Sequence, residues 1–112
     1  MKEITDEFMM QMISQAKPYS VALLKAAGNY GTPESQPIVW EHARRNFALR
    51  EEGLLSVVCP ISDESDLKGI GIFNADVDQT RLIMEEDPGV KAGIFTFEVH
   101  SARSFPGDYL PK

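Results

Sequence analysis

The run Glu85-Glu86-Asp87-Pro88-Gly89 constrains this chain more than any other stretch, because it ends a helix on the wrong charge. An amphipathic pattern from Val77 to Glu86, with Val77, Thr80, Ile83 and Met84 inward, stops on three acids. The partial negative charge at a helix C-terminus favours Lys or Arg there. Pro88 terminates the helix and pushes Asp87 out of the α region. Asp-Pro-Gly then supplies position i, a preset φ at i+1 and a residue tolerant of positive φ at i+2 of a tight turn. Asp87 therefore stands at a forced corner. Either it only opens the turn or it is held there to meet another group, and the local sequence leaves both readings open.

Around this corner the other elements are clearly punctuated. Thr5 to Lys17 reads as an amphipathic lead-in helix, with Phe8, Met9, Met12, Ile13 and Ala16 at helical spacing and Thr5 or Asp6 as its cap. Its methionines suit core packing or a subunit contact. Pro18 ends it. Tyr19 to Lys25 alternates, with Tyr19, Val21 and Leu23 on one face and Ser20, Ala22 and Leu24 on the other, which predicts the first strand. Ala26 to Gln36 reads as an irregular loop long enough to wall a site. Ser35 is placed to cap a helix from Pro37 to Glu52 that Gly53 stops. Val39, Trp40, Ala43 and Phe47 form the stripe of that helix. His42 falls at the edge of the stripe with Asn46 and Leu49, where an imidazole keeps one nitrogen hydrogen-bonded and offers the other to a cavity.

Leu54 to Ile61 predicts an apolar second strand covered on both faces, and Cys59 within it reads as a buried, inert thiol. Lys68 to Asn74 predicts the third strand, and its Gly69 and Gly71 leave one face bare for close approach. Asp76 and Gln79 have capping-box spacing ahead of the Val77 helix. Ala92 to Ser101 predicts the fourth strand, with Phe95, Phe97 and Val99 against the helices and Ile94, Thr96, Glu98 and His100 on the opposite face. From Arg103 onward the chain reads as an irregular tail.

Strand, helix, strand, strand, helix, strand is the split βαβ order of the ferredoxin-like fold, here with an extra N-terminal helix. The expected fold is thus an α+β, ferredoxin-like βαββαβ sandwich in one domain over residues 1–112: helix 1–17, core 18–103 and tail 104–112. Both helices cover one sheet face. The other face, carrying Ile70, Ile72 and Ile94, is too apolar for water, so a homodimer stacked through it is expected.

Charge and motif content remove several function classes. A net charge of -6 with scattered Lys and Arg disfavours a nucleic-acid surface. Lys68 to Phe73 lies where an RNA-recognition motif would place stacking aromatics, but Ile70 and Ile72 stand there instead. The Gly-rich loop lacks a Gly-Lys-Ser/Thr ending for phosphate. One Cys and two distant His assemble no zinc set, so no metal or other cofactor is expected. No basic leader precedes an apolar run and no 18-residue apolar stretch occurs, which with the lone cysteine points to a cytoplasmic protein with no membrane contact.

His42-Ala-Arg-Arg-Asn-Phe-Ala-Leu-Arg-Glu-Glu-Gly-Leu-Leu55, then Gly69-x-Gly71, then Glu86-Asp87-Pro88-x-Val90-x-Ala92-Gly93-Ile94 together resemble the YciI-like (YCII-related) family. The resemblance covers about Tyr19 to Arg103. It implies a dimeric α+β barrel and an active site made of the helix His and the Asp before Pro, which here are His42 and Asp87. It also implies, for some members, lactone or dehydrohalogenation chemistry. Cys59-Pro60 stands where members often have Gly-Pro.

A carboxylate on one imidazole nitrogen fixes the tautomer and frees the other nitrogen for proton transfer near neutral pH. With no nucleophile tied to the pair, proton abstraction, elimination or isomerisation on a small organic substrate is the leading expectation. Arg44, Arg45 or Arg103 is available to hold a substrate carboxylate. The rival is a non-catalytic dimeric module that binds a small metabolite, or serves as an interaction surface, with His42 and Asp87 as a clamp. Glu98 and His100, two apart on one strand face, form a second pair expected to be solvated or at an interface.

Overall fold

Alternation along the first strand decides which side of the sheet the helices cover. In the computed structural model, which describes residues 1–112, the elements run α1 (Asp6–Ser14), β1 (Lys17–Ala26), a 3₁₀ turn (Pro33–Ser35), α2 (Gln36–Glu51), β2 (Leu55–Pro60), β3 (Leu67–Phe73), α3 (Val77–Glu85), α4 (Pro88–Lys91) and β4 (Phe95–Ser104). The four strands form one antiparallel sheet in the order β2-β3-β1-β4. This is the ferredoxin-like α+β arrangement that the order of elements predicts. No helix is long and apolar enough to cross a membrane.

Ser20, Ala22 and Leu24 are buried, and their register partners Phe73, Gly71 and Gly69 on β3 and Ser101, Val99 and Phe97 on β4 share their face. Leu49 of α2 and Met84 of α3 join that face in one core with Ala22, Leu24, Leu55, Phe73, Ile94, Phe95 and Val99. Full burial of a side chain such as Phe73 stabilises by roughly 1.5–3 kcal/mol. Ser20 meets the requirement that a buried hydroxyl be paired by donating to the Ala75 carbonyl at 2.8 Å.

The other face is half-open. Val21, Leu23, Val57, Ile70 and Ile72 are half-buried there, and Cys59, Glu98 and His100 are exposed. Cys59 is thus not the buried thiol expected from its apolar neighbours. Ile94 also departs from expectation, since it is 1% exposed in the helix-side core. Gly93, at φ 71°, turns the chain just before Ile94, and the Ile94 amide donates to the Gly89 carbonyl, so Ile94 precedes the alternating part of β4.

The β1–β4 ladder runs further at one end than alternation alone suggests, whereas β4 begins at Phe95 rather than Ala92. Lys17 pairs with Ser104 and Pro18 with Arg103, so Lys17 belongs to β1 rather than the lead-in helix, and the tail starts after Ser104. β1 and β4 are the central-to-edge pair whose ladder continues past the last buried side chains. Thr5 caps α1 as expected, accepting from the Phe8 amide at 3.2 Å, but α1 has no buried residue and leaves Phe8, Met9, Met10 and Ile13 exposed. Core packing is therefore not its role in this protomer.

Candidate active site

Helix α2 supplies one half of the site. At roughly 100° per residue, Ile38, His42, Arg45 and Leu49 follow one inward row and Val39, Ala43 and Asn46 the next, all buried or half-buried. The predicted stripe is rotated: Trp40 and Phe47 are 68% and 54% exposed. His42 consequently lies in the middle of the covered side, not at its edge. Ser35 does not cap this helix with its side chain; its hydroxyl donates to the Thr32 carbonyl within the 3₁₀ turn.

The acidic corner supplies the other half. Asp87 is not the end of α3, whose C-cap is Glu86, but the N-cap of α4, with φ -64° and ψ 131°. That removes Asp87 from the conflict of charge, because an acid is favoured where a helix begins, while Glu85 and Glu86 still end α3. Its Oδ2 accepts from the Gly89 amide at 2.9 Å and the Val90 amide at 3.2 Å. Pro88 has the extended-backbone effect expected on Asp87. Gly89, however, has no positive φ and makes no tight turn. A Cβ there would lie 2.6 Å from Phe95 Cδ2 and 3.0 Å from Asp87 Oδ2, so the position needs glycine for space.

These halves meet. His42 Nδ1 lies 2.7 Å from Asp87 Oδ1, and the Asp87 residue is 1% exposed. Arg45 Nη1 stands 3.9 Å from the same oxygen. A buried carboxylate costs several kcal/mol unless its lone pairs are used, and here two amides, an imidazole and a nearby guanidinium use them. An ionised carboxylate only accepts hydrogen bonds, which assigns the proton to Nδ1 and leaves the lone pair on Nε2. Asn46 Nδ2 sits 3.3 Å from that Nε2, in position to donate a long, weak bond. The Phe95 ring, 4.9 Å from the imidazole and tilted by 46°, blocks rotation of the ring on its far side.

A cavity of about 350 Å³ opens in front of this pair. Val39, His42, Ala43, Asn46 and Phe47 of α2 form its roof, Gly69, Gly71 and Phe73 its floor, and Tyr30 and Phe95 a side wall. Its volume is in the range of small-molecule sites. The loop after β1 is fastened to the acidic corner: the Ala27 amide donates to Ile94, the Asn29 amide to Gly93, and Asn29 Nδ2 to the Ala92 carbonyl at 2.8 Å. That fastening sets Tyr30 beside Phe95, with ring centroids 6.0 Å apart.

Arg44, Arg45 and Arg103 do not line the cavity. Arg44 pairs with Glu41 at 2.8 Å, and Arg45 sits behind the pair. The cation that does line it is Lys68, its Nζ 4.9 Å from the Tyr30 ring centroid. Nothing in the strand pattern marks Lys68 for this place. Asn46, one helical turn from His42, was legible by spacing alone. Glu98 and His100 meet at 3.2 Å on the opposite face and take no part in the cavity. Lys25 first and His100 second, through hydrogen bonds, hold the Glu98 carboxyl below the ordinary glutamate range.

No family model matches this chain, and no curated protein does. Among solved structures it is similar to TftG, the 5-chloro-2-hydroxyhydroquinone dehydrochlorinase of Burkholderia phenoliruptrix, in complex with 2,5-dihydroxybenzoquinone. The identity is 22% and the TM-score 0.47, over 72% of this chain and 90% of that one.

Proposed function

We propose that the protein is a cofactor-free general acid–base enzyme of the YciI-like kind, acting on a small organic substrate by proton abstraction followed by elimination or isomerisation. His42 is its proton-transfer group and Asp87 the carboxylate that orients and stabilises it. The observation that carries this reading is the 2.7 Å Nδ1 to Oδ1 contact on a histidine that lines an apolar cavity.

In an elimination, a substrate C–H or O–H bond breaks and its proton passes to Nε2. The freed electron pair forms a double bond as the leaving group departs with its own pair. In an isomerisation, the same nitrogen returns the proton at another carbon. Asp87 balances the imidazolium at each stage, and the apolar walls keep that ion pair out of bulk water. A positioned base of this kind contributes about 10²–10⁴-fold.

The test is turnover of a panel of halogenated hydroquinones and unsaturated lactones in deuterated water, followed by halide release and mass spectrometry. Activity that falls at least about 100-fold in a folded His42→Asn variant is expected. Equal turnover in variant and wild type contradicts the reading.

The Asn46 amide on Nε2 favours a second reading, in which the imidazole is clamped at both ends and the cavity binds a metabolite without turnover. Ligand-induced stabilisation equal in wild type and His42→Asn, with no product, distinguishes it. We further propose that two protomers associate through the half-open sheet face carrying Val21, Leu23, Val57, Ile70 and Ile72. Sedimentation equilibrium at micromolar concentration is expected to return twice the mass of the chain, and a monomer contradicts the dimer.

A further inference from the structure

Twenty residues line the cavity, and Lys68 is the one among them with a permanent charge; no Asp or Glu faces it. A carboxylate ligand therefore meets no repulsion from the lining, because Asp87 lies behind His42 and outside it. Lys68 has no ion-pair partner. Asp63, an acid that feels its charge, has its Oδ1 occupied by the Ser65 amide and hydroxyl. The ammonium rests over Tyr30 at 4.9 Å, Tyr30 meets Phe95 at 6.0 Å with its ring tilted by 57°, and Phe95 lies against His42 at 4.9 Å. Cation and base thus stand at opposite ends of a lane of two aromatic rings. Opposite that lane the floor holds Gly71, in front of which Leu55 and Phe73 pack, and Gly69 beside Leu24, so it is apolar and carries no charge.

We propose that Lys68 is the specificity-determining residue of this cavity, selecting a flat, apolar substrate that carries a carboxylate or similar oxyanion at the end away from His42. The proposal rests on the acid–base reading for its chemistry but not for its geometry. A flat ring packs against Tyr30 and Phe95, whose planes stand at 57° to each other, and the oxyanion accepts a charge-assisted hydrogen bond from Nζ. When His42 removes a proton from a carbon conjugated with the carboxylate, the electron pair left on carbon delocalises into the carboxylate C=O, giving an enediolate. Lys68 then faces the negative charge that grows in the transition state.

The experiment uses 2-naphthoate and its neutral counterpart 2-naphthamide as probes, titrated calorimetrically into the 112-residue chain, with the His42 ring signals in NMR reporting occupancy of the cavity. Wild type is expected to bind naphthoate roughly tenfold or more tighter than naphthamide. In Lys68→Gln the two affinities are expected to converge, with that for naphthamide unchanged, while Lys68→Arg keeps the preference. Equal affinities in wild type, a preference that persists in Lys68→Gln, or no binding of either probe at millimolar concentration overturns the proposal. Failure here with turnover still dependent on His42 removes only the role of Lys68. A Lys68-dependent preference with turnover indifferent to His42→Asn removes only the acid–base reading.

Discussion

Two histidine–carboxylate pairs occur in this molecule, and they share chemistry and little else. His42 and Asp87 meet at 2.7 Å with side chains 12% and 2% exposed, whereas His100 and Glu98 meet at 3.2 Å with side chains 59% and 48% exposed. The first joins residues 45 apart in sequence through the fold; the second joins residues two apart on one strand. The polar atoms of the buried pair outside that contact are also committed: Asp87 Oδ2 to two amides and His42 Nε2 to Asn46. Glu98 divides itself between His100 and Lys25 in solvent, where such pairs contribute little. A histidine beside a carboxylate becomes a usable proton-transfer group when burial and further bonds hold one tautomer in one orientation. Proximity alone does not do that.

The sharpest way to separate the pairs is to delete each acid. Asp87→Ala strands the Gly89 and Val90 amides and His42 Nδ1, and is expected to cost about 2–4 kcal/mol in urea unfolding. Glu98→Ala is expected to move the urea midpoint far less, since both side chains of its pair are in solvent. Gly89→Ala attacks the buried pair from beneath, pressing a methyl group into Phe95 and Asp87, and should cost about 1–3 kcal/mol by the same measurement. Asn46→Ala frees Nε2, with an expected cost of about 0.5–1.5 kcal/mol and retained turnover; loss of turnover equal to that of His42→Asn would make Asn46 more than a support.

The smallest effect is in pH dependence. The Glu98 carboxyl is held below its ordinary range, chiefly by the Lys25 hydrogen bond. A group with a depressed folded-state pKa contributes stability above its unfolded value, and that contribution is lost as pH falls through the folded one. Glu98→Gln is therefore expected to flatten slightly the acid limb of stability, below about pH 4.3, with no change of slope near neutrality. Urea midpoints between acid and neutral pH check this.

How far the sequence could be read follows the same division between local and long-range causes. Period-two alternation assigned the faces of β1, because Ser20, Ala22 and Leu24 can point only one way once the helices cover them. The α2 stripe was misjudged because large aromatics at helical spacing look like core, yet apolar residues also populate surfaces. Trp40 and Phe47 do so here. The odd acid at the end of α3 stands out in the sequence as a feature that needs a cause. Its cause, that Asp87 begins a new helical turn, depends on Gly89 yielding space to Phe95, a contact no local pattern contains. The meeting of His42 with Asp87 was suggested by family resemblance and by the chemistry of the two side chains. Lys68 was out of reach, since its place beside Tyr30 depends on a loop fastened to the Ala92–Gly93 corner.

The central claim is that Asp87 holds His42 with its proton on Nδ1 and its lone pair on Nε2. Long-range proton–nitrogen NMR correlation of the His42 ring, at a pH where the imidazole is neutral, reads the tautomer directly and needs no substrate. The account predicts a protonated Nδ1 and an unprotonated Nε2 in wild type, with the preference weakened in Asp87→Asn. A proton on Nε2 in the wild type, or a tautomer indifferent to Asp87, would contradict it.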